Sequence, residues 1–225
     1  MFDNFLKRVV FFHNLSIVER RNRIESELSE IGVSPKEHVF HSCFGTGCNV
    51  WAEIGEKSKK IVLSAHYDGN SIVDNSAGVL SLIGMARQIM KADYPFSVIL
   101  LFSDFEENFQ QGALYFLKDH PFDIIRSINI DGFGIGDNLY PLHELTGNTN
   151  TDSDLFLTDR DEFVKRKLPS VSYFSAFADD FEAAKKTGRV FDTFEKYHKS
   201  SFFCEKFNEK NHVGICSKIL NLLMD

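Results

Sequence analysis

Apolar residues recur in this chain with two different periods. Ile17, Ile24, Leu28 and Ile31 are spaced seven, four and three apart with charges between them. That is the stripe of an amphipathic helix over Ile17–Ile31, and Gly32 supplies its stop. Val39–Phe44 and Asn49–Ile54 read as strands joined by Gly45-Thr46-Gly47, a hairpin-type turn. Lys60–Ala65 (KIVLSA) and Phe96–Ser103 (FSVILLFS) are short, nearly continuous apolar runs, as expected of buried central strands, and Ile124–Ile130 is a third candidate. Within Asn75–Met90, Val79, Leu82, Ile83, Ala86, Ile89 and Met90 share one helical face, and Ala113–Lys118 belongs to a further short helix. Beyond these, the pattern predicts a helix over Asp152–Lys167, a strand over Val171–Ser175, a helix over Asp180–Lys186 and a closing amphipathic helix over Glu209–Leu223. Strands alternating with helices of this length predict an α/β fold whose sheet carries helices on both faces.

Composition narrows the class. A chain of 225 residues suits one domain and buries about 70% of its unfolded surface, enough for a large core. No repeat, low-complexity tract or linker divides it, so residues 1–225 are expected to form a single domain. The 23 phenylalanines supply core and could line an apolar pocket. A net charge of −7 removes the basic surface of a nucleic-acid binder, and no Lys/Arg run suggests a membrane patch. The opening MFDNFLKRVVFFHNL has acid and base where a secretory signal stays apolar, and its longest apolar run is Val9–Phe12. Cys43, Cys48, Cys204 and Cys216 form no C-x-x-C pair. Together these features lead to the expectation of a cytoplasmic protein with reduced thiols.

The chemistry lies at the strand ends. Lys60–Ala65 runs into His66-Tyr67-Asp68, Phe96–Ser103 into Asp104-Phe105-Glu106-Glu107, and the third run into Asn129-Ile130-Asp131. Open α/β sheets bind ligands at the carboxyl ends of their strands, so neighbouring strands would deliver an imidazole and several carboxylates to one edge. Such carboxylates raise one another's pKa or need a cation. Imidazole with carboxylate oxygens suits zinc, and also manganese or cobalt. Each piece alone has a plainer reading. Asp74-Asn75-Ser76 could cap the following helix, and Glu106-Glu107 could begin one, favoured by its dipole. Their joint occurrence in this order favours a metal site. The G-x-x-x-x-G-K-[ST], H-E-x-x-H and G-x-S-x-G motifs are absent, and Gly132-Phe133-Gly134-Ile135-Gly136 has the wrong spacing for a dinucleotide loop.

The blocks His66-Tyr67-Asp68-Gly69, Asp74-Asn75-Ser76-Ala77-Gly78-Val79, Ser103-Asp104-Phe105-Glu106-Glu107 and Ile128-Asn129-Ile130-Asp131-Gly132 resemble the M28 zinc aminopeptidases, a family that also contains glutaminyl cyclases. The resemblance covers about residues 16–137 and implies a single-domain, three-layer α/β/α sandwich with a mixed, largely parallel sheet. It implies two divalent ions, zinc first: His66 and Asp131 on one, Glu107 and a late histidine on the other, and Asp74 bridging. Asp68 would fix the His66 tautomer, and Glu106 would be the general base toward a water activated between the ions. Of His143, His198 and His212, the register favours His198, while His212 falls within the last helix and reads as a surface residue. Phe202 stands where the family usually has Asp, and Arg189-Val190 follows Gly188 where it tends to have Ile-Pro. Asp180 resembles an acidic substrate-side position, although it could equally be a helix cap. The activity this implies is removal of N-terminal residues from peptide or aminoacyl substrates, without nucleic-acid or membrane partners. A single-zinc glutaminyl cyclase and a non-catalytic binding protein on the same fold are the alternatives.

Overall fold

The computed structural model of the protein describes residues 4–146, 158–187 and 193–224. Two helices open the chain, α1 (Phe5–His13) and α2 (Ile17–Glu30). The hairpin β1 (Lys36–Ser42) and β2 (Gly45–Ile54) leads to β3 (Lys59–His66). A π-helical turn, Ile72–Ala77, runs into α3 (Gly78–Ile89). Then come β4 (Ser97–Ser103), α4 (Gln111–Asp119), β5 (Asp123–Ile130), β6 (Asn138–Pro141) and α5 (His143–Thr146). The rest is α6 (Arg160–Lys165), β7 (Ser170–Ala176), α7 (Ala178–Thr187), a 3-10 turn at Glu195–His198, α8 (Ser200–Lys206) and α9 (Glu209–Asn221).

The strands form one seven-stranded sheet in the order β1-β2-β4-β3-β5-β7-β6. The four middle strands β4, β3, β5 and β7 are parallel, and the pairs at either edge are antiparallel. The three apolar runs are therefore neighbours, as the sequence predicts. Alternate residues face opposite sides, as a pleated strand requires. Ile61, Leu63, Ala65, Val98, Leu100, Phe102, Ile128 and Ile130 join the larger core with α1, α2, α3 and α9. Val62, Ile99 and Leu101 face a smaller core with Phe116 of α4 and Phe163 of α6. This is the mixed α/β/α sandwich.

Toward the carboxyl end of the strands the second face turns polar. Ser64 Oγ donates to Asn129 Oδ1 (2.8 Å), and Asn129 Nδ2 to Ser172 Oγ (3.2 Å), linking β3, β5 and β7 through side chains. All three residues are buried, so these bonds meet needs that solvent cannot.

Several expectations shift. The hairpin turns at Cys43-Phe44, not at Gly45-Thr46-Gly47, because Gly45, Thr46 and Gly47 already pair with Ser42, His41 and Phe40. Gly47 is small for another reason: a Cβ there would collide with the Phe40 ring. Helix α1 was not expected; its signal is Phe5, Val9 and Phe12, four and three apart and buried. Of the helix predicted over Asp152–Lys167, residues 152–157 lie outside the described residues, as do Gly188, Arg189 and Val190. The glycine loop after β5 leads into strand β6 rather than a helix, which removes any dinucleotide reading. Among the described residues no helix is long and apolar enough to cross a membrane. All four cysteines are free thiols.

His212 is the clearest correction, being buried rather than a surface residue. It stacks on Phe5 (centroids 4.0 Å apart) and meets Phe133 and Phe207. Burial disfavours the imidazolium and pushes its pKa down to about 3. The unfolded chain therefore binds a proton below pH 6.5 that the folded chain refuses until near pH 3. This contribution to stability is present above about pH 6.5 and is lost as pH falls, by about 2 kcal/mol at pH 5. Urea denaturation of His212→Phe against the parent should show that excess acid sensitivity in the parent alone; parallel pH–stability curves would exclude it.

Candidate metal centre and active site

The parallel register builds the site. Ser64 lies opposite Asn129, so His66 at the end of β3 and Asp131 just past the end of β5 come level. His66 Nε2 is 3.7 Å from Asp131 Oδ1. His66 also lies opposite Ser103, so the turn after β4 delivers Asp104-Phe105-Glu106-Glu107 to the same edge. Phe105 takes a left-handed φ of 56°, unusual for a non-glycine residue, and it immediately precedes the two glutamates. They sit in this turn rather than at a helix start, since α4 begins at Gln111.

Asp68 links the two strand ends. Its Oδ1 is 3.1 Å from His66 Nδ1, and its Oδ2 accepts from the Glu107 backbone N–H (3.1 Å). With Nδ1 as donor, the Nε2 lone pair is free to face Asp131. His66 Nδ1 is also 3.9 Å from Glu106 Oε2. Among the described residues, one ligand atom each from His66, Glu106 and Glu107 lies within 4.8 Å of the others.

Asp74 enters from the π-helical turn. Ser71, not Asp74, caps that turn, its Oγ accepting from the Asp74 N–H (3.4 Å). Asp74 Oδ2 contacts His198 Nδ1 at 2.9 Å, and Ser71 Oγ lies 2.8 Å from the same nitrogen. Gly132, at φ 65°, bends the chain after Asp131 so that a Cβ there would lie 3.7 Å from Asp74 Oδ1.

His198 sits on the 3-10 turn, which is anchored from outside. Tyr197 Oη donates to Asp180 Oδ2 (2.8 Å) and accepts from the Phe177 N–H (3.1 Å), while Lys196 Nζ donates to Asp180 Oδ1 (2.7 Å). Both oxygens of Asp180 are thus engaged in holding the turn that carries His198. Phe202 packs on Tyr197, with centroids 5.3 Å apart, and lies under Lys196. The position where the resemblance expects Asp is therefore used for packing. Leu168-Pro169 leads into β7 directly after Lys167, which is left-handed at φ 61°.

The electrostatics match a cation site. Burial pushes the Glu106 pKa well up; His66 opposes this, while the charges of Asp131, Asp159 and Asp68 add to it. Burial likewise raises Glu107. Burial would also raise Asp74, but the hydrogen bond and charge of His198 outweigh it and hold the carboxyl below its ordinary value. Burial would lower His66, yet Glu106, Asp131 and Asp68 raise it well above the ordinary imidazole value. Glu106 Oε1 is buried with no hydrogen-bond partner among the described residues. A buried imidazole, crowded carboxylates and an orphaned carboxylate oxygen fit one or more divalent ions.

Asp159 was missed. It is fully buried just ahead of α6 and accepts a hydrogen bond from Ser103 Oγ. Burial pushes its pKa up to about 7, with the charges of Asp68 and Asp131 adding to the rise. The sequence places it inside a predicted helix, where an Asp reads as solvated surface.

The model for peptidase family M28 matches residues 49–209. The chain belongs to peptidase family M28. Solved structures share its fold. A glutaminyl cyclase from Porphyromonas gingivalis superposes with a TM-score of 0.72 at 15% identity, covering 95% of this chain and 94% of that one. A Zn-dependent exopeptidase from Parabacteroides distasonis gives 0.70 at 15% identity over 98% and 97% of the two chains. A leucine aminopeptidase precursor from Bacteroides thetaiotaomicron gives 0.71 at 14% identity over 97% and 93%. No curated protein matches the sequence.

Within this M28 site, Gly69 deserves a substitution. Its φ is +80°, and an added Cβ would collide with Glu107 Oε1. Gly69→Ala should stay folded and lower divalent-ion affinity roughly 10-fold or more, as displaced ligands do. Calorimetric titration with Co2+ checks this, and unchanged affinity would detach Gly69 from the centre.

Proposed function

We propose that this M28 protein is a metal-dependent aminopeptidase, removing N-terminal residues from peptides with two divalent ions, zinc first. The observation that supports the reading is a pair of contacts, His66 with Asp131 (3.7 Å) and Asp74 with His198 (2.9 Å), with His66 held by Asp68 and Glu107 near enough to feel the charges of His66, Asp74 and Asp131; His66, Asp74, Glu107, Asp131 and His198 are the ligands we assign. That set offers more ligands than a single ion needs. The Zn-dependent exopeptidase of similar fold supports the choice of metal.

The ions, when bound, supply Lewis acidity to the scissile carbonyl and to the attacking water. Glu106 takes a proton from that water at a carboxylate oxygen and passes it to the leaving amine. Its raised pKa suits this cycle, because a carboxylate closer to neutrality both accepts and returns a proton. Asp68 keeps the His66 tautomer fixed throughout. The surplus of negative charge suits the free α-ammonium of a peptide substrate.

A second reading is a single-zinc glutaminyl cyclase, favoured by the match to the Porphyromonas gingivalis enzyme. Metal stoichiometry and turnover of N-terminal Gln peptides separate the two.

Glu106→Gln should bind metal like the parent and lose roughly 10²- to 10⁴-fold in kcat toward aminoacyl substrates. Full activity in that variant would remove the assigned base, and inactivity of metal-replete parent protein on every aminoacyl and peptide substrate would end the peptidase proposal. Chelation should abolish turnover, and zinc, manganese or cobalt should restore it; activity indifferent to chelators would contradict a metal role.

A further inference from the structure

Arg20 lies on α2, and its side chain is buried. Its Nη1 donates to the carbonyls of Tyr67 (3.0 Å) and Gly69 (2.9 Å), and its Nη2 donates to the carbonyl of His13 (2.7 Å) at the end of α1. Tyr67 and Gly69 flank Asp68, the residue that orients His66 and receives the Glu107 N–H. A cavity of about 500 Å³ opens beside the guanidinium, with Asp68, Gly69 and Glu107 also on its wall.

A buried guanidinium is costly unless its donors are used; here both Nη atoms donate, while Nε has no hydrogen-bond partner among the described residues. Nη1 holds both carbonyls of the 66–69 segment and Nη2 holds the His13 carbonyl, so the planar fork ties that segment to the end of α1. A lysine, with one nitrogen on a flexible stem, could reach the Tyr67 and Gly69 carbonyls but has no second, rigidly placed nitrogen for His13.

We propose that Arg20 is a positioning residue for the metal centre, bracing the His66–Gly69 segment against the N-terminal helices so that Asp68 and the ligands it orients are set before any ion arrives. The proposal rests on the metal-centre reading for its consequence and on the hydrogen bonds alone for the brace.

The test compares parent protein, Arg20→Met, Arg20→Lys and the control Arg23→Ala, which removes a Glu27 contact from the same helix. Two quantities are read: Co2+ affinity by calorimetry, and amide hydrogen exchange of residues 66–70 in metal-free protein. Arg20→Met should bind Co2+ roughly 10- to 100-fold more weakly, the usual effect of losing a supporting partner. Its 66–70 segment should exchange faster while the central strands stay protected. Arg20→Lys should recover only part of either loss, and Arg23→Ala should change neither. Parental affinity and exchange in Arg20→Met overturn the proposal, as they do in Arg20→Lys if Arg20→Met fails to fold. Loss of the whole fold in both variants also overturns it, since the contact would then be global. If the parent binds no divalent ion, the metal reading fails, while the exchange measurement still decides the brace.

Discussion

Buried negative charge is the constraint from which this molecule is best understood. Asp68, Glu106 and Asp159 lie at the carboxyl ends of a parallel sheet, shielded from water, with Glu107, Asp74 and Asp131 beside them. Carboxylates so arranged repel one another strongly, and only protons, cations or donated hydrogen bonds relieve the repulsion. The fold provides part of the relief itself. Asp68 accepts from His66 and Glu107, Asp74 sits against His198, and Asp159 accepts from Ser103. Glu106 is left with a buried oxygen that no described residue satisfies. The hydrolytic reading follows from what remains after that relief.

Much of this was legible in the sequence because the chemistry sits where local pattern changes. His66 and Asp131 end apolar runs, and a parallel sheet brings the ends of neighbouring runs level. The two glutamates follow within about one turn of such an end, and Asp74 comes eight residues after His66, in the turn that opens α3. His198 needed the family resemblance, since nothing around Glu195–His198 has a clear period.

What stayed hidden depends on contacts between distant segments. Asp159 reads as one more charge on a helix, and only the folded chain carries it beneath Ser103. Arg20 did leave a trace. The expected stripe of α2 jumps seven residues from Ile17, which the fold leaves exposed, to Ile24, and Arg20 lies on the buried face four residues before Ile24. His212 was misjudged for the converse reason, a polar residue taken for surface because its aromatic neighbours come from α1, the loop after β5 and the segment before α9.

The buried Ser64–Asn129–Ser172 ladder has a consequence for assembly of the sheet. Sliding β5 by one residue against β3 would turn Asn129 into the apolar layer and rotate Ile128 and Ile130 out of it. The same slip would carry Asp131 out of level with His66. A mispaired sheet would thus lose hydrogen bonding, burial and the ion-binding edge in one step, so errors in strand alignment are penalised before the chain could ever present a half-built centre.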